Sequence, residues 1–511
     1  MTALQPVPPG TLASLLGAIG GASFRDGGGA VTVEVPAAQL EVAVHHLAAA
    51  GARLADLFAA GAEPVTLRLV WGLDAERRYL ITETPVSSAE YPPLSDIAPA
   101  AFAEECEIYE QFGIRPAGGK SLNRVALPPH AGPDFPRLGH QPPHAPEEAH
   151  APHTVGGQAF EFPFGPVRQA GMESLYYGLV TSGEEIVDLY LFTWHKHRGV
   201  EWRLRGRRPG EALFLIERAE GLSATGVAWS FAAAVESALG TEPPPAAQLT
   251  RGIALELERL YNHAAAMAAL CQATGLSAGQ AAAEIALERL LRVNAAAFGH
   301  RYLFGVIEPG GVRRAPDPAT LRAALPGAYD ELRRAADALL VTNSFMDRLE
   351  ATGIVTAEQA RRLGLVGPVA RAVGVPIDSR LDQPAAPYVE HPPIIAVRDA
   401  GDVLARLRVM LDEAAESVRL IGDLLDAGPG TGSAALPATS GSGLGWAESP
   451  RGEALAWVSL DAGGRITRAR LRPASVRNWR GFDDAARSQN VFTDIPIIEA
   501  SFWLTVAGTA R

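Results

Sequence analysis

"RGIALELERLYNHAAAMAALCQATG", residues Arg251–Gly275, is the stretch on which the fold turns. It sits in a pattern that predicts a long helix over Leu249–Ala273. On such a helix Glu256, Arg259 and His263 fall at i, i+3 and i+7 and share one face, with Glu258 and Asn262 beside them. Two readings stay open. The stripe is either a solvated, salt-bridged face or a polar seam between helices, where every charge must be satisfied and protons can be relayed.

Further helices are expected around it, over Ala224–Pro245, Ala278–Phe298, Pro318–Asn343 and Val403–Leu425. A hairpin is expected in "LYYGLVTSGEEIVDLYLFTW", turning near Ser182–Gly183, and another in "ALAWVSLDAGGRITRARLR". Between these last elements, Gly428–Gly445 reads as a Gly/Ser-rich loop. Residues 158–511 thus form a mostly helical bundle domain with small β elements.

Toward the N-terminus the pattern is α+β over residues 1–129. An amphipathic helix is expected near Gln39–Ala50, with strands in "PVTLRLVWGL" and "RYLITETPV". "DIAPAAFAEECEIYEQFGI" supplies a second helix, with Asp96 as its N-cap and Gly113 as its stop. Residues 130–157 form a Pro/Gly-rich linker holding His130, His140, His144, His150 and His153. The interleaved prolines impose no fixed ligand geometry, so a solvated linker is expected there rather than a metal site.

The totals exclude several classes. A net charge of −12 lacks the basic footprint of a nucleic-acid binder. No run of about 18 uncharged apolar residues is present, so no bilayer-crossing segment is expected, and the start "MTALQPVPPG" has no signal-peptide character. The expected compartment is therefore the cytoplasm. Cys106 and Cys271 are the only cysteines. Two thiols cannot supply a four-thiolate metal site.

"LELERLYNH", followed by "LLRVNAAAFGHRYLFGVIEPGGV", resembles the large subunits of membrane-bound, energy-converting [NiFe]-hydrogenases and the related quinone-site large subunit of respiratory complex I. "GPVRQAGMES", "HRGVEWRLRG", "DRLEATGIVTAEQARRLGLVGPVARAVGVPIDSRLDQP" and "ESPRGEALAWV" match that family's segments in the same order. "YPPLSDIAPAAFAEECEIYEQFGIRPAGG" resembles the small α+β companion subunit of complex I. The two modules on one chain match the fused arrangement of formate-hydrogenlyase-type large subunits.

The resemblance implies where a metal would be and shows that its ligands are gone. The family's first thiolate pair belongs in "IERAEGLSATG", where Glu220 and Ser223 stand, and its second pair falls on Thr505 and Gly508. A [NiFe] centre and hydrogenase activity are therefore not expected, because soft thiolates are what those metals need. The complex I quinone pair is also absent in its usual form. Arg168 and the Met172 region replace the hairpin histidines, and Gly221 replaces the tyrosine. Arg168, Tyr176, Tyr177 and Trp229 are the candidates to hold a headgroup instead.

By resemblance, Glu173, Glu217, Arg218 and Glu220 are the candidate proton-handling residues. Arg168, His197, Arg198, Glu201 and Ser223 are the candidate cavity-binding ones. For Glu217 and Arg218 an ion pair holding a strand–helix junction is the competing reading, and His195 and His197 read as exposed loop residues. No metal or cofactor bound by this chain is expected. Quinone is the candidate substrate, with a [4Fe–4S] cluster in a partner.

The implied partners are an iron–sulfur small subunit and antiporter-like membrane subunits, at the cytoplasmic face of the inner membrane. The implied role couples electron transfer to ion translocation. Two alternatives are a catalytically silent, conformation-transmitting subunit and a subunit of an NADH-quinone oxidoreductase proper. A cavity lined by Arg168, Glu173 and Glu220 favours the redox role, and one filled with alanine and leucine favours the silent one.

Overall fold

The computed structural model describes residues 10–19, 24–26, 29–61, 64–128, 131–132, 134–140, 142, 159–168, 173–487 and 489–511. Its residues divide into two compact units, Met1–Ala149 and His150–Arg511. His130, His144, His150, His153 and Met172 lie outside the described residues.

In the first unit five strands form one sheet: β1 (Phe24–Asp26), β2 (Ala30–Glu34), β3 (Arg53–Ala60), β4 (Val65–Leu73) and β5 (Arg78–Val86). Their order is β1-β2-β5-β4-β3, with β2 and β5 parallel and the other pairs antiparallel. Helices α1 (Leu40–Ala49) and α2 (Phe102–Phe112) share the sheet's apolar core. Gly113 ends α2 in the left-handed conformation at φ 74°, as expected of a glycine stop. Asp96 is not its N-cap. Two 3-10 turns, Leu94–Asp96 and Pro99–Ala101, precede the helix, and Asp96 instead pairs with Lys120 at 2.6 Å.

The second unit is mostly helical. Strands β6 (Ala159–Phe164), β7 (Tyr176–Ser182) and β8 (Glu185–Phe192) form an antiparallel sheet. Then come α3 (Pro209–Ile216), α4 (Ala224–Leu239), α5 (Pro245–Ala273), α6 (Ser277–Phe298), α7 (Pro318–Leu340) and α8 (Val403–Asp426). A second antiparallel sheet follows, of β9 (Gly441–Ser449), β10 (Gly452–Leu460) and β11 (Ile466–Arg472), and then α9 (Ala474–Ala486) and α10 (Ile495–Phe502). The chain is therefore α+β, with a mainly helical second unit.

Helix α5 is the axis of this unit. Helices α6, α8 and α10 pack on it, and it is buried almost continuously from Thr250 to Cys271. That environment decides the open question about its polar stripe. Glu256, Glu258, Arg259 and Asn262 have no exposed surface and His263 is 2 % exposed, so the stripe is a buried seam.

Two expectations are corrected here. Residues Gly428–Gly445 are not all loop, because Gly441, Gly443 and Gly445 begin β9. They alternate with period two, so all three face α4. A Cβ on Gly445 would fall 2.2 Å from the Ala234 nitrogen and the Ser230 carbonyl oxygen, so the strand lies directly on the helix backbone. The apolar run ending at Ile216 is also not a strand but helix α3, so Glu217 and Arg218 follow a helix.

The segment Gly221–Leu239, spanning α4, is long and apolar enough to cross a bilayer by length and composition only. In the fold 72 % of it is buried. It also carries Glu236, which takes a paired contact from the buried Arg251 guanidinium at 3.0 and 2.6 Å.

Candidate functional site

Three loops meet where the two thiolate pairs would stand. The first is Glu217–Ser223, between α3 and α4. The second is the turn Pro450–Arg451 between β9 and β10, and the third is the terminal segment 503–511. Helix α5 fixes the first and third: Tyr261 and the Asn262 amide donate to the Leu222 carbonyl at 2.8 Å each, and Asn262 Oδ1 accepts from the Trp503 indole at 2.9 Å. The short i, i+1 spacing of Tyr261 and Asn262 lets one turn of helix grip one carbonyl twice.

Arg451 occupies the centre. Its Nη1 donates to Ser223 Oγ and lies 3.4 Å from Glu220 Oε1. Its Nε donates to the Trp503 carbonyl, and its guanidinium lies 5.4 Å from the centre of the Trp503 ring. Ser475, at the start of α9, donates to Glu220 Oε1 at 2.9 Å and accepts from the Thr505 amide at 3.3 Å. The two loops that would each give a thiolate pair are thus joined by a hydroxyl and a cation.

Glu220 is 1 % exposed, and its second oxygen has no hydrogen-bond partner among the described residues. Burial raises its pKa above the usual carboxylate range, against the opposing pull of Arg451. Glu258 stands next to this group. Its carboxylate accepts from the Thr225 and Gly226 amides at 2.6 and 3.0 Å, at the start of α4. Burial pushes it up to about 7, although those amides and Arg451 favour its charged form.

The other candidates take defined places. Glu173 accepts from the Val506 and Ala507 amides at 2.5 and 2.8 Å, so it holds the third loop. Arg198 donates to the carbonyls of Arg218, Ala219 and Ala507, and so ties the first loop to the third. Arg168 makes a two-pronged pair with Glu499 at 2.8 and 3.0 Å and donates to the Glu173 carbonyl at 2.9 Å.

Four candidates lie apart from the Glu220–Ser223 group. Glu201 is buried against Arg468, Arg511 and the Leu471 amide at 2.7–2.9 Å. Glu217 accepts from the Gly305 amide at 2.6 Å, with Arg218 3.8 Å away, and burial raises its pKa. Arg218 is largely exposed and stacks over Phe214 and Phe304. His197 and His195 are half-buried rather than exposed, and His195 stacks on Trp194.

A second charged group lies deeper, built on the α5 seam. Glu256 accepts from Arg259, Arg380, Tyr388 and Ser417 at 2.6–3.1 Å. Those cations overcome burial and hold it at about 2. Glu413 accepts from Arg371 at 2.8 Å and pairs with His263 Nε2 at 2.9 Å. The Arg371 and Arg380 side chains meet on Asp378 at 3.1 and 2.7 Å, and Arg371 also reaches Glu448 at 3.0 Å. Arg451, Ser475, Asp378, Arg380, Glu413 and Glu448 had not been singled out from the sequence. The available signal was the charge inside "GPVARAVGVPIDSRLDQP" and "ESPRGE", which a solvated loop would carry equally well.

These residues do not fit a nickel–iron centre. The four ligand positions offer one carboxylate, two hydroxyls and a glycine, and an internal guanidinium already spans two of them. Among the described residues no group of three or more His, Cys, Asp or Glu side chains is placed to hold a metal ion. Nor is the site an alanine–leucine plug. The space between the loops is taken by polar groups bonded to one another.

The family described as respiratory-chain NADH dehydrogenase, 49 kDa subunit, matches residues 281–440. Formate hydrogenlyase subunit 5 of Escherichia coli (strain K12) is 29% identical over 443 residues, 82% of this chain and 76% of that protein. An NADH-quinone oxidoreductase subunit of Salinispora arenicola (strain CNS-205) is 30% identical over 313 residues, 59% of this chain and 80% of that protein. Among solved structures, a chain of the membrane-bound sulfane sulfur reductase, an archaeal respiratory membrane complex, superposes with a TM-score of 0.65 at 25% identity. That match covers 70% of this chain and all of the other.

Proposed function

This chain belongs to the family of the respiratory-chain NADH dehydrogenase 49 kDa subunit, and from that premise we propose that it is the large subunit of a membrane-associated oxidoreductase complex that works without a [NiFe] centre. In this reading it docks on an iron–sulfur small subunit and on antiporter-like membrane subunits at the cytoplasmic face. It couples electron transfer, to quinone or another acceptor, with ion translocation. The observation that carries the reading is Arg451 between Glu220 and Ser223, a fixed positive charge where a metal-bearing relative would place its metal.

Such a site is suited to proton handling. Glu220 and Glu258 are both buried, both raised in pKa, and both influenced by the same guanidinium. A change in charge at a neighbouring redox group would shift their protonation through a medium that screens poorly. Glu173 and Arg198 hold the two loops in register around this pair.

A second reading, a silent subunit that transmits conformational change, is favoured by the polar closure of the site through Ser475 and Arg451. Replacing Glu220 by alanine in the assembled complex separates the two. The coupling reading predicts lowered acceptor turnover with altered acceptor dependence. Turnover and acceptor dependence equal to those of the unaltered complex would sink it.

A further inference from the structure

The deeper group has a charge imbalance. Glu256, Asp378, Glu413 and Glu448 are four carboxylates, Arg259, Arg371 and Arg380 are three guanidinium groups, and none is more than 3 % exposed. With every carboxylate ionised and His263 neutral, the sum is one uncompensated negative charge. Leaving it so in a buried site costs several kcal/mol, whereas taking up one proton removes the cost.

The contacts indicate which residue takes it. Glu256 accepts from four side chains. Asp378 accepts from both Arg380 and Arg371, and Glu413 from Arg371 and His263. Glu448 is the least well compensated. Its one guanidinium contact is Arg371 Nη1, which also serves Asp378 Oδ2 and the Ile377 carbonyl. Its other oxygen accepts from the amide and the hydroxyl of Ser379, at 3.0 Å each. That hydroxyl can turn to accept a hydrogen bond from the protonated carboxyl, since a serine both donates and accepts.

A void adjoins this residue. A cavity of about 10 Å³, the space of a single water, is lined by Trp229, Ser379, Arg380, Tyr388, Trp446 and Glu448. We propose that Glu448 is a proton-binding site, holding one exchangeable proton that enters and leaves through a water in this void. Burial and the negative charge of Asp378 push its carboxyl up to about 7, while burial lowers His263, which leaves the imidazole neutral.

The groups facing Glu448 come from several elements. Arg371, Asp378, Arg380 and Tyr388 come from the segment between α7 and α8, and Glu413 acts from α8 through Arg371. Arg259 on α5 donates to the Glu448 carbonyl at 2.7 Å. The cross-strand neighbour Glu453 on β10 is paired with Arg472. None of the carboxylates among them lacks a guanidinium partner.

The inference deepens the coupling reading by naming the proton as a ligand, but it is measured on the full chain alone. Infrared difference spectra between about pH 6 and about pH 8 report the C=O stretch of protonated carboxyl groups. The expected result is a titrating acid band that shifts when glutamate is labelled with 13C at its δ-carboxyl. Glu448→Gln should lose part of this band and leave the part owed to Glu258 and to Glu110 of the first unit, whose carboxyl burial pushes up to about 8. Should the Gln variant fail to fold, Glu448→Asp in the labelled chain should lose only the share of the label-sensitive band owed to Glu448 and gain in its place an acid band that the label does not shift.

A spectrum unchanged by both variants, or a titration abolished instead by His263→Gln, would overturn the assignment. Unchanged coupling in the complex when this band is lost would count against the proton's part in coupling and not against the proton site.

Discussion

Replacing Arg451 by methionine removes the charge at the centre of the site while keeping most of the side chain's volume. Two ways of accommodating the loss compete. Glu220 can stay ionised without a partner, which costs about 3–5 kcal/mol for a buried pair broken on one side. It can instead take a proton, and at pH 7 that costs about 3 kcal/mol relative to an ordinary carboxyl, at 1.36 kcal/mol per unit. The cheaper route sets the figure at about 3 kcal/mol, an upper value because Glu220 is already raised in the unaltered chain. Lost hydrogen bonds to Ser223 and the Trp503 carbonyl add about 1 kcal/mol each.

The pH dependence separates these parts. In the variant the folded-state pKa of Glu220 rises further above its unfolded value. That group's contribution is therefore fully present below about pH 4.5 and is lost as pH rises toward the folded pKa. The gap between the unaltered chain and the variant should widen from about 2 kcal/mol near pH 4.5 to about 3–5 kcal/mol at pH 7.

Urea unfolding followed by tryptophan fluorescence at both pH values measures this gap. Every tryptophan except Trp71 lies in the second unit, so the signal reports on the relevant core. Adding Glu220→Gln to the variant should recover most of the pH-dependent part. A gap below about 1 kcal/mol at pH 7, or one independent of pH, would refute the reasoning.

Three further outcomes are expected. Tyr388→Phe removes a 2.6 Å hydrogen bond to the charged Glu256 and should cost about 1.5–3 kcal/mol at neutral pH. Because Glu256 is held at about 2, its stabilisation is present above about pH 4.5 and lost as pH falls through 2, so the variant should unfold at a higher pH on acid titration. Gly445→Ala drives a Cβ into the α4 backbone and should cost about 3 kcal/mol or more, seen as a lowered Tm; an unchanged Tm contradicts the strand-on-helix packing. Arg198→Ala should raise amide hydrogen exchange around both Ala219 and Ala507, and a rise at only one of them would show that the side chain does not tie the loops.

The long helices were legible because their apolar spacing and their stops are local properties. Gly113 ending α2 and the helix through Glu256 and His263 both follow from residues within a few turns. The burial of that helix was not legible, since a stripe of Glu, Arg and His has the same spacing in water as against α8. The start of β9 was misread because glycine carries a loop signal, whereas here its missing Cβ is what lets a strand touch a helix backbone.

In the site, "IERAEGLSATG" located the first loop, and the absence of cysteine there showed which ligands it lacks. Arg451 lies 228 residues from Ser223. No local pattern pairs two such positions, so what fills the gap between the loops is a property of the fold alone.

The central claim is that this chain works inside a membrane complex with its own cation in place of a metal. The most direct measurement is mass spectrometry of the proteins captured from detergent-solubilised membranes on a tagged copy of the full chain, with nickel quantified in the same sample. The account predicts an iron–sulfur small subunit and antiporter-like membrane subunits in stoichiometric amounts, with nickel far below one per chain. Capture of the chain without such partners, or nickel near one per chain, would contradict it.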